Sequence, residues 1–234
     1  MINSNSRIVF LCSSQGGNLS FLWNAIKRDF LPGFEVVGVI SDRECGANEY
    51  AKKIGIFNVV TQPNDNKSIN LDLILEQLNP DFIVTTIHLK ISNFIIEKYG
   101  EKLINIHYSL LPAFGGLIGK RAVESAINYN SLIGGITIHE VTKDLDGGKP
   151  LSQIAFALHE RENLTELMSL VFRCGCLGLL GTLLRIFKNN SQEASSSFVE
   201  ILNRRCLVSG FQYLPFGIEK DEGFWSSVKE MNSN

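Results

Sequence analysis

The chain has 234 residues and a formal net charge of −2, with 20% charged and 44% hydrophobic residues. That balance fits a soluble globular protein with a substantial core and argues against a disordered chain, a membrane protein or a broad nucleic-acid-binding surface. Its five cysteines, Cys12, Cys45, Cys174, Cys176 and Cys206, are odd in number and lack a Cys-x-x-Cys pair, so a reducing cytoplasm is expected rather than a disulfide framework or zinc ribbon.

The opening residues 1–7 are polar and run straight into an apolar strand at 8–12, without the apolar middle of a signal peptide. Periodicity then predicts a helix over 19–30, a strand at 36–41, a helix at 47–54, a short strand at 58–60 and a helix over 69–78. A strand at 82–86, a helix at 93–99 and a strand ending at His107 follow. Beyond them come a helix at 120–128, strands at 135–141 and 152–158, and a long helix over 164–187. This alternation implies an α/β fold, a Rossmann-like, mostly parallel sheet with helices on both faces. The long helix is apolar but carries Arg173, Arg185 and several glycines, so it reads as a core helix rather than a bilayer span. Residues 189–197 have the composition of a polar connector. The tail beyond contains Phe211, Tyr213, Phe216, Phe224 and Trp225, too aromatic for pure disorder, and is expected to pack back on the domain or on a partner. The organisation expected is a catalytic domain over 1–188 and an extension over 189–234.

Chemistry concentrates in two segments. In the first, Asn105 and His107 lie two residues apart at the end of a strand, so both side chains leave one face. The carboxyl edge of such a sheet is where open α/β folds bind ligands, and an amide with an imidazole there can polarise a carbonyl and move a proton. In the second, a strand carrying Thr137 and His139 on one face leads into an acidic loop with Asp144 and Asp146, closed by Gly147 and Gly148. A carboxylate from that loop is expected to reach His107.

Asn105 and His107, the Ser109, Leu110, Leu111, Pro112 turn and the Leu145, Asp146, Gly147, Gly148 loop together resemble the signature of folate-dependent formyltransferases, over residues 7–187. The likeness is greatest to the small glycinamide ribonucleotide transformylases, because the first strand is followed by Ser13, Ser14, Gln15, Gly16, Gly17 and Asn18 where they have a phosphate loop. The resemblance implies transfer of a formyl group from 10-formyltetrahydrofolate to a primary amine. Asn105, His107 and Asp146 would be catalytic, with Thr137, His139 and Asp144 in support. Gly16, Gly17 and Asn18 would hold the acceptor's phosphate. Leu89, Lys90 and Ile91, with Asn105 and Lys67, would hold the folate. Departures from the family touch the acceptor more than the reaction. Gly17 stands where a Ser is usual, His88 where an aromatic is usual, Tyr108 where a Pro is usual, and Phe172 where an acidic residue contacts the acceptor's ribose.

Other readings stay open at this level. The acceptor could be glycinamide ribonucleotide, a sugar nucleotide or another small amine, and the partners leave room for a homodimer but not for nucleic acid or a membrane. Residues 13–18 could be an ordinary turn with Asn18 as helix N-cap. Asp42, after the second strand, sits near the ribose-reading position of a dinucleotide fold, although 13–18 lacks the Gly-x-Gly-x-x-Gly spacing. His107, His139, Asp144 and Asp146 could ligate a metal, and a folate-binding protein without turnover would keep the same residues.

Overall fold

The computed structural model describes residues 5–61, 68–187, 196–211, 214–215 and 217–228. The chain divides into two compact units, Met1–Asn105 with Glu140–Lys143, and Ile106–His139 with Asp144–Asn234.

The first unit is a βαβ assembly. Its strands β1 (Ser6–Cys12), β2 (Phe34–Ser41), β3 (Asn58–Val60), β4 (Phe82–Thr86) and the start of β5 (Leu103–His107) lie in the order β3-β2-β1-β4-β5, all parallel. Ile8 through Cys12 are each 1% exposed or less, as a central parallel strand covered on both faces requires. Helices α1 (Gly17–Lys27), α2 (Gly46–Ile54), α3 (Ser68–Leu78) and α4 (Asn93–Tyr99) connect the strands. Val9, Leu11, Leu71, Leu75, Ile83, Ile95 and Leu103 pack into one core cluster. The chain moves outward from β1 through β2 to β3 and returns to β4 on the other side of β1. The order therefore reverses between β1 and β4, the switch point where such sheets open a crevice at the strands' carboxyl ends.

The second unit begins within β5, at Ile106. Its strands β6 (Ile133–Glu140, of which Glu140 belongs to the first unit), β7 (Pro150–Ala157), β8 (Ser196–Ile201) and β9 (Arg204–Ser209) pair antiparallel in the order β6-β7-β9-β8. Helices α5 (Lys120–Asn128), α6 (Leu164–Phe187) and α7 (Glu222–Trp225) complete it. By length and composition α6 could cross a membrane, yet 89% of its most apolar window is buried in the fold. Glycines let it pack closely: a Cβ on Gly178 would stand 3.0 Å from Ile136 Cδ1, and one on Gly181 would enter the Phe211 ring.

Every strand and helix expected over 8–187 is present, with ends shifted by at most three residues. The tail was the gap. Two strands were missed there, because their two-residue turn is Leu202 and Asn203, at φ +47° and +60°, instead of the Asn-Gly that usually signals this hairpin. Strand β9 pairs with β7. Trp225 Nε1–H donates to Ile218 O at 2.9 Å, and Arg173 of α6 lies over the Trp225 ring while pairing with Glu222 at 2.9 and 3.2 Å. Of the expected connector, only Ser196 and Ser197 are described, as the start of β8. Residues 189–195, Tyr213 and Phe216 lie outside the described residues.

Candidate active site

In the first unit, the loops after β1 and β4 meet at the switch point. The backbone N–H of His88 donates to Ser13 Oγ at 2.8 Å. The N-cap of α1 is Gly16, at φ +78° and without a side-chain cap, so Asn18 is not the cap and lies buried in the first turn. Gly16 is required there twice over: its φ is left-handed, and a Cβ would stand 2.8 Å from Ala47 Cα. The dipole at a helix N-terminus favours an anion. In the β4–α4 segment Leu89 and Lys90 are exposed, whereas the Ile91 side chain is 6% exposed within the core cluster. Lys67 lies outside the described residues.

Asp42 is committed to protein contacts. Its two carboxylate oxygens accept from Arg43 Nε and Nη2 at 3.0 and 2.6 Å. Burial pushes its pKa up, but the hydrogen bonds from Arg43 and Ser13 outweigh burial and hold it below the usual range. A carboxylate so engaged is poorly placed to read a ribose. The His88 ring is held below its ordinary value by burial and by the Arg43 charge.

The second unit gathers His107, His139 and Asp146. His107 is 5% exposed; its Nδ1 lies 3.4 Å from Asp146 Oδ2 and its Nε2 3.1 Å from the Phe114 carbonyl oxygen. His139 Nε2 is 3.7 Å from Asp146 Oδ1, a Coulombic rather than hydrogen-bonding distance, and the two rings sit edge to face with centroids 6.5 Å apart. Asp146 adopts φ +52°, a conformation Asp tolerates better than most residues, and accepts from Gly116 N–H at 2.7 Å. One carboxylate thus faces two imidazoles and is fixed by a backbone donor. Asp144 is exposed at the start of that turn, where its carbonyl accepts from Gly147 N–H at 3.0 Å. Among the described residues, no group of three or more His, Cys, Asp and Glu is arranged to hold a metal ion.

Thr137 positions the loop that supplies Phe114. Its fully buried hydroxyl donates to Ser109 O at 2.8 Å and accepts from Leu111 N–H and Gln153 Nε2 at 3.0 and 3.1 Å. Ser109 Oγ donates to Ala113 O, and Phe114 takes φ +58°, a costly conformation for a bulky residue. An apolar pocket, partly open to solvent and lined in part by Tyr108, Leu110, Phe114, Phe156 and Val171, lies against the same loop. The roles of Phe114 O and Gly116 N–H were missed from sequence, since backbone groups carry no residue signature; the Gly115, Gly116 pair was the one available hint. Asn105, half-buried in β5 and engaged in a contact of its own, precedes His107 by two residues on the strand.

Residues 6–175 match the model of the formyl transferase family, about three quarters of the chain. The chain belongs to the formyl transferase family. Among curated formyl transferases, it is 28% identical over 170 residues to the chloroplastic phosphoribosylglycinamide formyltransferase of Arabidopsis thaliana, covering 69% of this chain and 58% of that one. It is 32% identical over 171 residues to the mitochondrial formyltetrahydrofolate deformylase 1 of the same plant, covering 70% and 51%. The chain therefore spans just over half the length of these relatives. Among solved structures, phosphoribosylglycinamide formyltransferase from Bacillus halodurans superposes with a TM-score of 0.71 at 28% identity, covering 78% of this chain and 95% of that one. Phe172, at the position expected from the resemblance to carry the ribose-contacting acid, is buried at 2% exposure in α6.

Proposed function

We propose that this formyl transferase moves the formyl group of 10-formyltetrahydrofolate to a primary amine in the cytoplasm, with glycinamide ribonucleotide the leading acceptor and an amino-sugar nucleotide the next. The observation that carries the proposal is the Asp146 carboxylate held 3.4 Å from His107 Nδ1, in a chain of this family. Formyl transfer needs an oxyanion stabilised, one proton taken from the amine and one delivered to the folate N10.

In this reading Asp146 orients the His107 ring and balances its charge when both nitrogens carry hydrogen, leaving Nε2–H as the group that faces substrate. The Phe114 carbonyl marks the direction of that hydrogen bond, and the oxyanion would take its place as acceptor once the loop shifts. Asn105 supplies an amide donor from the same strand, a contribution of roughly 3 kcal/mol at comparable centres. The proton that leaves the amine balances the one N10 gains, and the His107–Asp146 pair carries it. His139 buttresses the far oxygen of Asp146, Asp144 closes the turn that presents it, and Thr137 holds the loop. Gly16, Gly17 and Asn18 would bind the acceptor phosphate, while Leu89, Lys90, Ile91 and Lys67 would hold the folate. The buried Phe172 removes an acidic ribose contact, which weighs on the choice of acceptor and not on the transfer.

A screen of phosphorylated and nucleotide-linked amines with 10-formyltetrahydrofolate, read by product mass, tests the proposal. Formylation of a phosphorylated amine supports it, and Asn18→Ala is expected to weaken that acceptor's binding while leaving folate affinity little changed. Release of formate to water at full rate without any formylated amine would instead favour the hydrolysis named for the 32% identical deformylase.

A further inference from the structure

Cys12 ends β1 and Cys45 is the N-cap of α2, and the formyl-transfer chemistry uses neither. In the pairing of β1 with β2, Cys12 stands opposite Ser41. The Ser41 hydroxyl donates to Asn48 Oδ1 at 2.9 Å, and the same oxygen accepts from Cys45 N–H at 3.1 Å and lies 3.2 Å from Cys45 Sγ. One buried amide oxygen, accepting from both the Ser41 hydroxyl and the Cys45 thiol, thereby places the Cys45 sulfur beside the neighbour of Cys12. Helix α2 is itself fixed to the loop after β1, because Ala47 N–H donates to Ser14 O at 3.2 Å.

The two sulfurs differ in a way that suits stepwise oxidation. Cys45 is half-buried and meets solvent, whereas Cys12 is 1% exposed behind it. The hydrogen bond from Cys12, helped by the Ala47 and Asn48 N–H groups, outweighs burial and the Asp42 charge and brings the Cys45 thiol down to about 6. That hydrogen bond and burial push Cys12 well up. A reactive sulfur at the surface with a buried, protonated thiol behind it is the arrangement in which one sulfur attacks and the other resolves.

We propose that Cys12 and Cys45 form a modification site at which a hydroperoxide produces a reversible intramolecular disulfide. The Cys45 thiolate attacks the terminal oxygen, forming an S–O bond as the O–O bond breaks, and the departing alkoxide takes a proton to become an alcohol. The Cys12 sulfur then attacks the sulfenic sulfur, the S–S bond forms, and hydroxide leaves as water with the Cys12 proton. Two thiols lose two electrons, and the hydroperoxide is reduced to alcohol and water. None of this depends on the acceptor or on formyl transfer. Cys174 and Cys206 also touch but are both fully buried, so they serve as an internal control without solvent access.

The full chain is treated with hydrogen peroxide, its remaining thiols are alkylated, and its peptides are mapped by mass. The expected result is a Cys12–Cys45 linked peptide that dithiothreitol reverses, with Cys174 and Cys206 recovered alkylated after unfolding. Iodoacetamide should label Cys45 with a midpoint near pH 6. In Cys45→Ser the linked peptide disappears while the fold survives, since Ser also caps a helix. In Cys12→Ala a sulfenic acid accumulates on Cys45 and is trapped by dimedone. Recovery of Cys12 and Cys45 as separate alkylated peptides after peroxide would overturn the proposal.

Discussion

Replacing Asp146 with Asn isolates the charge that the proposed mechanism needs. The substitution keeps size and shape, and the new amide oxygen can still accept from Gly116 N–H, which meets Asp146 at 2.7 Å. It removes the negative charge 3.4 Å from His107 Nδ1 and 3.7 Å from His139 Nε2. With a protonated ring at 3.4 Å, the gross attraction is about 5 kcal/mol at an effective dielectric constant of 20. Desolvation takes back part of it, leaving a net of roughly 1.5–3 kcal/mol, the range for contacts to charged groups. If that energy is expressed in the transition state, turnover falls by about 10- to 150-fold. The assay follows consumption of 10-formyltetrahydrofolate in the presence of the acceptor amine, with thermal melting alongside. The expected outcome is that loss in kcat with a near-native melting curve. A variant that keeps more than half of its activity would refute the role assigned to the pair.

Three further substitutions probe how the site is held. Thr137→Val removes the buried oxygen that accepts from Leu111 N–H, so it should cost about 1–3 kcal/mol, read as a melting midpoint lower by roughly 2–12 °C; an unchanged midpoint would show that another group satisfies that donor. Gly16→Ala combines a left-handed backbone, worth about 1–2 kcal/mol against a side chain, with a Cβ placed 2.8 Å from Ala47 Cα, so lower stability and weaker acceptor binding should appear together. Glu162→Gln breaks the paired contacts to Arg204 at 2.5 and 3.3 Å. Burial pushes Glu162 up, but Arg204 holds it below its usual range in the fold. Its stabilisation is therefore full above the unfolded carboxyl value of about 4.3 and is lost as pH falls through the folded one. The melting gap between parent and variant should be largest near pH 7 and close on acidification below pH 4; a gap that widens in acid would contradict the sign.

Regular periodicity made the region from β1 to α6 legible, because buried parallel strands such as Ile8 to Cys12 read as unbroken apolar runs between helical segments. The chemistry-bearing side chains were legible for a related reason: His107 and Asp146 sit at strand ends and in an acidic glycine-closed loop, where side-chain identity carries the signal. The structure brings His107, Asp146 and His139 together within the second unit. What sequence could not supply depends on the path of the backbone. Phe114 contributes a carbonyl, Gly116 an N–H, and Gly16 a left-handed cap, none of which a side-chain motif announces. Ile91 reads as part of a ligand loop but points into the core, since one residue in an exposed segment must anchor it. Strands β8 and β9 escaped notice because a Leu-Asn turn adopts the conformation that Asn-Gly would have advertised.

The most direct measurement follows the carbon itself. The enzyme is mixed in a single turnover with 10-formyltetrahydrofolate labelled in its formyl group and with the amine that the acceptor screen selects. The label should appear as an N-formyl amide on the amine at the rate the folate is consumed, and both rates should fall together in His107→Ala. Label recovered as free formate, or transfer at an undiminished rate without His107, would contradict the account.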